Sequence, residues 1–393
     1  MQIGWIDFSK EERNKVVSIL RLLGTQSALD ELGVGTVRDG FSDLMFPGIS
    51  TQQTRAKYFV LIPYLFALAE KRSFHSQREV LEYIHTLETQ LVKTLVTCSP
   101  TDAEGIIGSR NYKQGKTVKM KPSSIYWSGL RATSILRFSE LSIENACRLT
   151  MTKGNKRHET VLKTESEEDG GDDADALTGG LPVIFTPITA DYDFMKKADI
   201  ALTEREAKYL LDQFISSPYT CDSLTAYMLK NGTLFPSFDA IPADRLDGNL
   251  KHTVRLAQEF AEFIYGAHLL YNIIYAEGCQ YEDEQTREIA AEFDEWCGSF
   301  QSIDLDDVIA TTKCPGSTGD FLRRFASAIS SDSITDAREL IIRREKSVKP
   351  NRAKLLNPEQ YRYDRPVHYY RMDYRFGTAR TIIADILNGM GAE

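Results

Sequence analysis

Ser9 and Glu12 stand three residues apart, and Val16, Ile19, Leu20 and Leu23 follow at the spacing of one helical face. That is a capping box opening an amphipathic helix, so a helix is predicted over 9–23, entered from the short apolar segment 3–8. Shorter helices are predicted over 26–32 and 37–46, the second stopped by Pro47 and Gly48. Ser50 can cap the next, which carries the apolar run 58–69. That run is too short to span a bilayer and contains Pro63, so a kinked, buried helix is expected. Ser76 and Glu79 repeat the capping box ahead of Leu81, Ile84, Leu87, Leu91 and Leu95. The first hundred residues thus read as all-helical.

The pattern resumes in the second half. Thr203 and Glu206 form a third capping box before Ala207, Leu210, Leu211 and Phe214. Further helices are predicted over 223–229, 252–276 and 379–387. The 252–276 segment is apolar around much of its circumference, which marks a central core helix. A helix over 282–295 is crowded with acids and reads as a solvated face. Residues 182–185 read as a short strand. The predicted fold class is therefore mainly α: two helical lobes with few short strands, separated by an acidic flexible loop. The domains expected are 1–160, a loop at 161–181, and 182–393.

The chain has 393 residues and is 42% apolar, which excludes disordered, collagenous and disulfide-stapled classes. No stretch of about 18 apolar residues occurs and the start lacks a signal-peptide pattern, so a cytoplasmic location with no membrane contact is expected. The six cysteines include no Cys-x-x-Cys pair, and the six histidines no His-x-His or His-Glu-x-x-His. A compact local metal site is therefore not encoded, a dispersed one assembled by the fold stays open, and no cofactor or catalytic residue is predicted. Gly33 and Gly35 fit a tight turn better than a nucleotide loop.

Charge changes this picture. The formal net charge is −9, yet residues 105–139 contain no acid, while Arg110, Lys113, Lys116, Lys119, Lys121, Arg131 and Arg137 are cationic. Basic character extends over 105–157 and then flips at the acid-rich 165–175. A second basic stretch, 338–380, interleaves arginines and lysines with tyrosines. Cations that meet successive phosphates, with flat side chains for exposed bases, are what a nucleic-acid surface requires. The candidates for phosphate contact are Lys116, Lys119, Lys121, Arg131, Arg137, Arg343, Arg344, Lys349 and Arg352, with Tyr126 and Trp127 stacking or packing. The competing expectation is that these cations pair with acids inside the protein. Helices 37–46 and 51–68 also allow a helix-turn-helix, with Gln53 and Arg55 at the start of its second helix, although a buried helix beginning at the surface explains them as well.

Gly4-Trp5-Ile6-Asp7-Phe8-Ser9, the block from Leu29 to Asp39, Gln53 to Phe59 with Pro63, and Pro122 to Trp127 carry a resemblance. So do Arg344-Glu345, Arg352 to Leu355 and Tyr374-Arg375-Phe376. Together they resemble a bacterial family catalogued as a domain of unknown function. The resemblance implies accessory proteins of antiviral defence loci, neighbours of helicases and phospholipase D-like nucleases, and supplies no catalytic residues. The expectation is a non-catalytic subunit that binds DNA or a nucleoprotein. The alternatives are a pure protein-interaction subunit docking on a helicase or nuclease, and an unrecognised metal-dependent nuclease or hydrolase.

Overall fold

A computed structural model describes residues 30–101, 103–115, 121–164, 181–187 and 193–391. The predicted helix over 9–23, most of 26–32 and the acidic stretch 165–175 lie outside them. The described chain is mainly helical, and none of its helices is long and apolar enough to cross a membrane. The helices are α1 (Gly35–Met45), α2 (Tyr58–Ala69), α3 (Gln77–Cys98), α4 (Ser109–Lys113), α5 (Pro122–Ala132), α6 (Ile143–Thr164), α7 (Glu204–Ser216) and α8 (Leu224–Lys230). They continue as α9 (Gly248–Gly278), α10 (Glu284–Ser299), α11 (Leu305–Thr312), α12 (Gly316–Ser330), α13 (Ile334–Val348) and α14 (Phe376–Gly389). The strand expected at 182–185 is reduced to one isolated antiparallel bridge between Phe185 and Leu136.

Two compact units form, and neither is continuous in sequence. One comprises Met1–Phe41 with Lys251–Tyr374, the other Ser42–Leu250 with Arg375–Glu393. This departs from the end-to-end lobes expected from the acidic stretch, because the last helix packs in the same unit as residues 42–250.

In the 42–250 unit, α2 is apolar on nearly every side and packs against α3, α5 and α6, while α14 packs on α7 and α8. Pro63 sits inside α2 as expected. The Ser76 cap accepts the N–H of Glu79, and the Thr203–Glu206 box is complete. Glu206 has a second role: both its oxygens, 2.6 and 2.8 Å away, hold the wholly buried Lys57 ammonium. Burial lowers the Lys57 pKa, with Glu206 working against that shift.

The helix expected from Ser50 begins only at Tyr58. Before it, the Arg55 guanidinium forks onto Asp385 of α14 at 3.0 and 2.9 Å, and the same carboxylate accepts the N–H of Ala56. Gln53 is buried, and its side-chain amide donates to the Gly48 carbonyl. Residues 51–55 therefore form a structural turn and not the exposed start of a recognition helix.

In the other unit, α9 is the central element, as its apolar breadth predicts. Trp296 of α10 lies on α9 over Gly266, where an added Cβ would fall 2.2 Å from the indole. Asp30 accepts the N–H groups of Val34 and Gly35 just ahead of α1, and residues 31–32, the part of the expected 26–32 helix that is described after it, form a bend and not a helix.

Candidate nucleic-acid interface

The acid-free segment supplies α4, α5 and the turn after α5. Gly105 holds a positive φ of 80°, and an added Cβ there would meet the Arg55 side chain at 2.7 Å, so the entry to α4 needs glycine. Pro122 then opens α5 at its first turn, the position where a missing N–H costs least.

Of the two roles expected of Tyr126 and Trp127, stacking or packing, the structure shows packing, since both are in the core. Tyr126 has no exposed area: its hydroxyl accepts the N–H groups of Thr54 and Arg55 at 2.7 and 3.0 Å and donates to the Arg55 carbonyl at 2.9 Å. Trp127 donates its indole N–H to the Leu141 carbonyl and packs on Phe66 and Phe185. Both fill space and satisfy backbone groups, and neither presents a face for a base to stack on.

The cations around them differ. Lys121 reaches only the Thr89 hydroxyl of α3, at 3.2 Å, and Arg131 only the Leu141 carbonyl, at 3.4 Å. Arg110, Lys113 and Arg137 are exposed. Among the described residues, none of these five side chains forms an ion pair. Lys116 and Lys119 lie outside the described residues. Tyr112, 39% exposed, stands between Arg110 and Lys113, and Phe138, 40% exposed, follows Arg137.

Two features of α3 extend this surface, and a charge count along the chain does not single them out. His85, Thr89 and Lys93 follow one another at four-residue spacing, so they share a face. Glu88 is the only acid between Tyr83 and Thr101; it is turned inward and buried, with one oxygen accepting the N–H of Ser123 at 2.7 Å. Burial raises the Glu88 carboxyl pKa, opposed by Ser123 and by Lys121. Burial also lowers the pKa of His85, with the Lys121 charge acting in the same direction.

The carboxy-terminal basic stretch is built the other way. Arg338 pairs with Glu277, Arg343 with Glu339, Arg371 with Glu262 and Arg375 with Asp43. Lys349 and Lys354 both meet Glu31, at 3.2 and 3.3 Å. Arg344 is buried over the Phe321 ring, donating to the carbonyls of Leu32, Gly33 and Ser317 and to the Thr318 hydroxyl. Burial lowers its pKa. Glu345 is fully buried and accepts the Tyr271 hydroxyl and the N–H groups of Lys354 and Leu355. Arg344 and Lys349, both expected on phosphate, are thus structural. Arg352 remains exposed with no side-chain partner among the described residues, and Arg343 is exposed but paired within its own helix.

Carboxylate neutralisation therefore separates two segments that look alike in sequence. Against known families, a model described as a family of unknown function (DUF6361) matches residues 1–389. The chain belongs to this family. No curated protein and no solved structure matches it. Several residues of the motifs noted in the sequence have structural tasks here. Arg344 and Glu345 tie three chain segments together, Ala353 is wholly buried, and the buried Tyr374 hydroxyl donates to the Ala257 carbonyl on α9.

Proposed function

We propose that this DUF6361 protein is a nucleic-acid-binding subunit that contacts the phosphates of a strand with exposed bases. The observation that carries the reading is the contrast between the two basic segments. Cations already paired with carboxylates have little charge left for a polyanion, whereas Arg110, Lys113, Lys121 and Arg137 form no ion pair among the described residues. Tyr112 and Phe138, exposed beside these cations, take the stacking role that the buried Tyr126 and Trp127 leave open. In an acidic chain such a segment focuses attraction locally despite the net charge of −9. The wider setting proposed with it is a cytoplasmic antiviral or DNA-processing system in which a helicase or nuclease acts on the bound strand.

Binding of a labelled single-stranded oligonucleotide, followed by fluorescence anisotropy, tests this. Replacing Arg110, Lys113, Lys121 and Arg137 together by alanine is expected to weaken binding by about 100-fold or more at low salt. Replacing Arg338, Arg343 and Arg371 by alanine leaves it nearly unchanged. Equal losses in both proteins contradict the assignment. If neither protein nor the parent binds nucleic acid, while the parent still captures an acidic protein partner, the surface is a protein-docking one.

A further inference from the structure

The loop leading to α14 holds a second constellation, in the unit that contains α9. Glu31 is 1% exposed, and its Oε1 receives both Lys349 and Lys354. Its other oxygen, Oε2, lies 3.1 Å from Nε2 of His368. A carboxylate oxygen accepts, so Nε2 carries the proton and Nδ1 is left as an acceptor. The Tyr370 hydroxyl lies 3.2 Å from that Nδ1. Tyr370 is 61% exposed, and behind His368 the His268 ring stacks at 5.0 Å.

Structure alone explains this poorly. Two lysines already neutralise Glu31, so His368 is not needed for its charge. His368 also has a φ of +52°, a backbone conformation that is costly for a residue with a side chain. The Tyr370 ring meets the His368 ring edge-on at 5.9 Å and is otherwise largely open to solvent, so packing accounts for little of its placement. An exposed hydroxyl, a base behind it and a buried carboxylate fixing the base is the arrangement of an activated nucleophile.

We propose that Tyr370 is a catalytic nucleophile for phosphodiester transfer, with His368 as its general base and Glu31 as a positioning residue. Tyr370 Oη attacks phosphorus while its proton passes to His368 Nδ1. The bond from phosphorus to the leaving oxygen breaks, its electron pair departs with that oxygen, and the imidazolium returns the proton to it. The product is a phosphotyrosyl diester and a free alcohol, with no change in oxidation state. Glu31 offsets the charge that His368 carries midway. Arg362 and Arg365, exposed in the same loop, suit an anionic substrate. This inference departs from the expectation of a non-catalytic chain and does not depend on the interface around α4 and α5.

The test uses the intact chain with bis(4-nitrophenyl) phosphate, a probe too small to need a strand-binding surface. Release of 4-nitrophenolate is expected, with a 4-nitrophenyl phosphoryl adduct located on Tyr370 by mass spectrometry. Tyr370→Phe abolishes both with no change in thermal midpoint, since the side chain is exposed. His368→Gln lowers the rate by about 100-fold.

The rate should fall on the acid side as His368 becomes protonated, below the ordinary histidine range, because burial lowers its pKa. The groups that set this limb are Glu31 and Asp30, which favour the proton, and Lys349 and Arg38, which oppose it. His268 lies against the ring. Glu31→Gln is expected to move the limb to lower pH, a change that loss of structure alone does not produce. Absence of the adduct, or equal release by the parent and Tyr370→Phe proteins, overturns the proposal.

Discussion

His268 shows how burial sets the chemistry of a single side chain. It is buried on α9 against His368, and its Nδ1 has no hydrogen-bond partner among the described residues. Burial, with the neighbouring His368 adding to it, drives its pKa down to about 3. The unfolded chain takes up this proton near pH 6.5 and the folded chain does not until far lower pH. Between the two values the unfolded state binds more protons, so stability is full above the unfolded pKa and is lost as pH falls through the window. Urea titrations from pH 7.5 to 4 are expected to show stability falling, with a limiting contribution from His268 of about 1.4 kcal/mol per pH unit. In His268→Phe, which keeps a ring against His368, the slope is reduced but not removed, because the His368 pKa is also lowered. An unchanged slope in His268→Phe contradicts the account.

At the scale of elements, helices were legible because their signals are local. The Thr203–Glu206 box lies within one turn, and the apolar breadth of α9 over 252–276 can be read directly along the chain. Partners far apart in sequence were not legible. The groups that satisfy the Tyr126 hydroxyl lie 71 and 72 residues away, and Glu31 lies 323 residues from Lys354. No periodicity announces such pairings, so core aromatics and internally paired cations look like surface ones until the chain closes. The α9–α10 contact is of the same kind. Nothing local marks Gly266 as the seat of Trp296, yet the indole leaves no room for a methyl group and donates its N–H to the Glu262 carbonyl one turn away. Gly266→Ala is expected to lower stability by about 1–3 kcal/mol through overpacking, although alanine is the better helix former. Thermal denaturation checks the sign; a stabilised variant contradicts the packing described.

For the whole molecule, net charge is a poor guide and the arrangement of charge is informative. Glu31, Glu262 and Glu277 neutralise much of the carboxy-terminal basic stretch and bind it into its own unit. Glu88, the one acid between Tyr83 and Thr101, is buried against α5. What remains in the other unit is a basic segment whose described cations form no ion pair with described residues. The sequence order displayed both stretches with equal clarity, and only the carboxylates distant in sequence distinguish them.

The central claim, that this segment meets successive phosphates, is tested most directly by the salt dependence of single-strand binding by the intact chain. Four contacting cations predict that the logarithm of the association constant falls with the logarithm of salt concentration with a slope of about −3. A slope near zero, or no measurable binding at low salt, contradicts it.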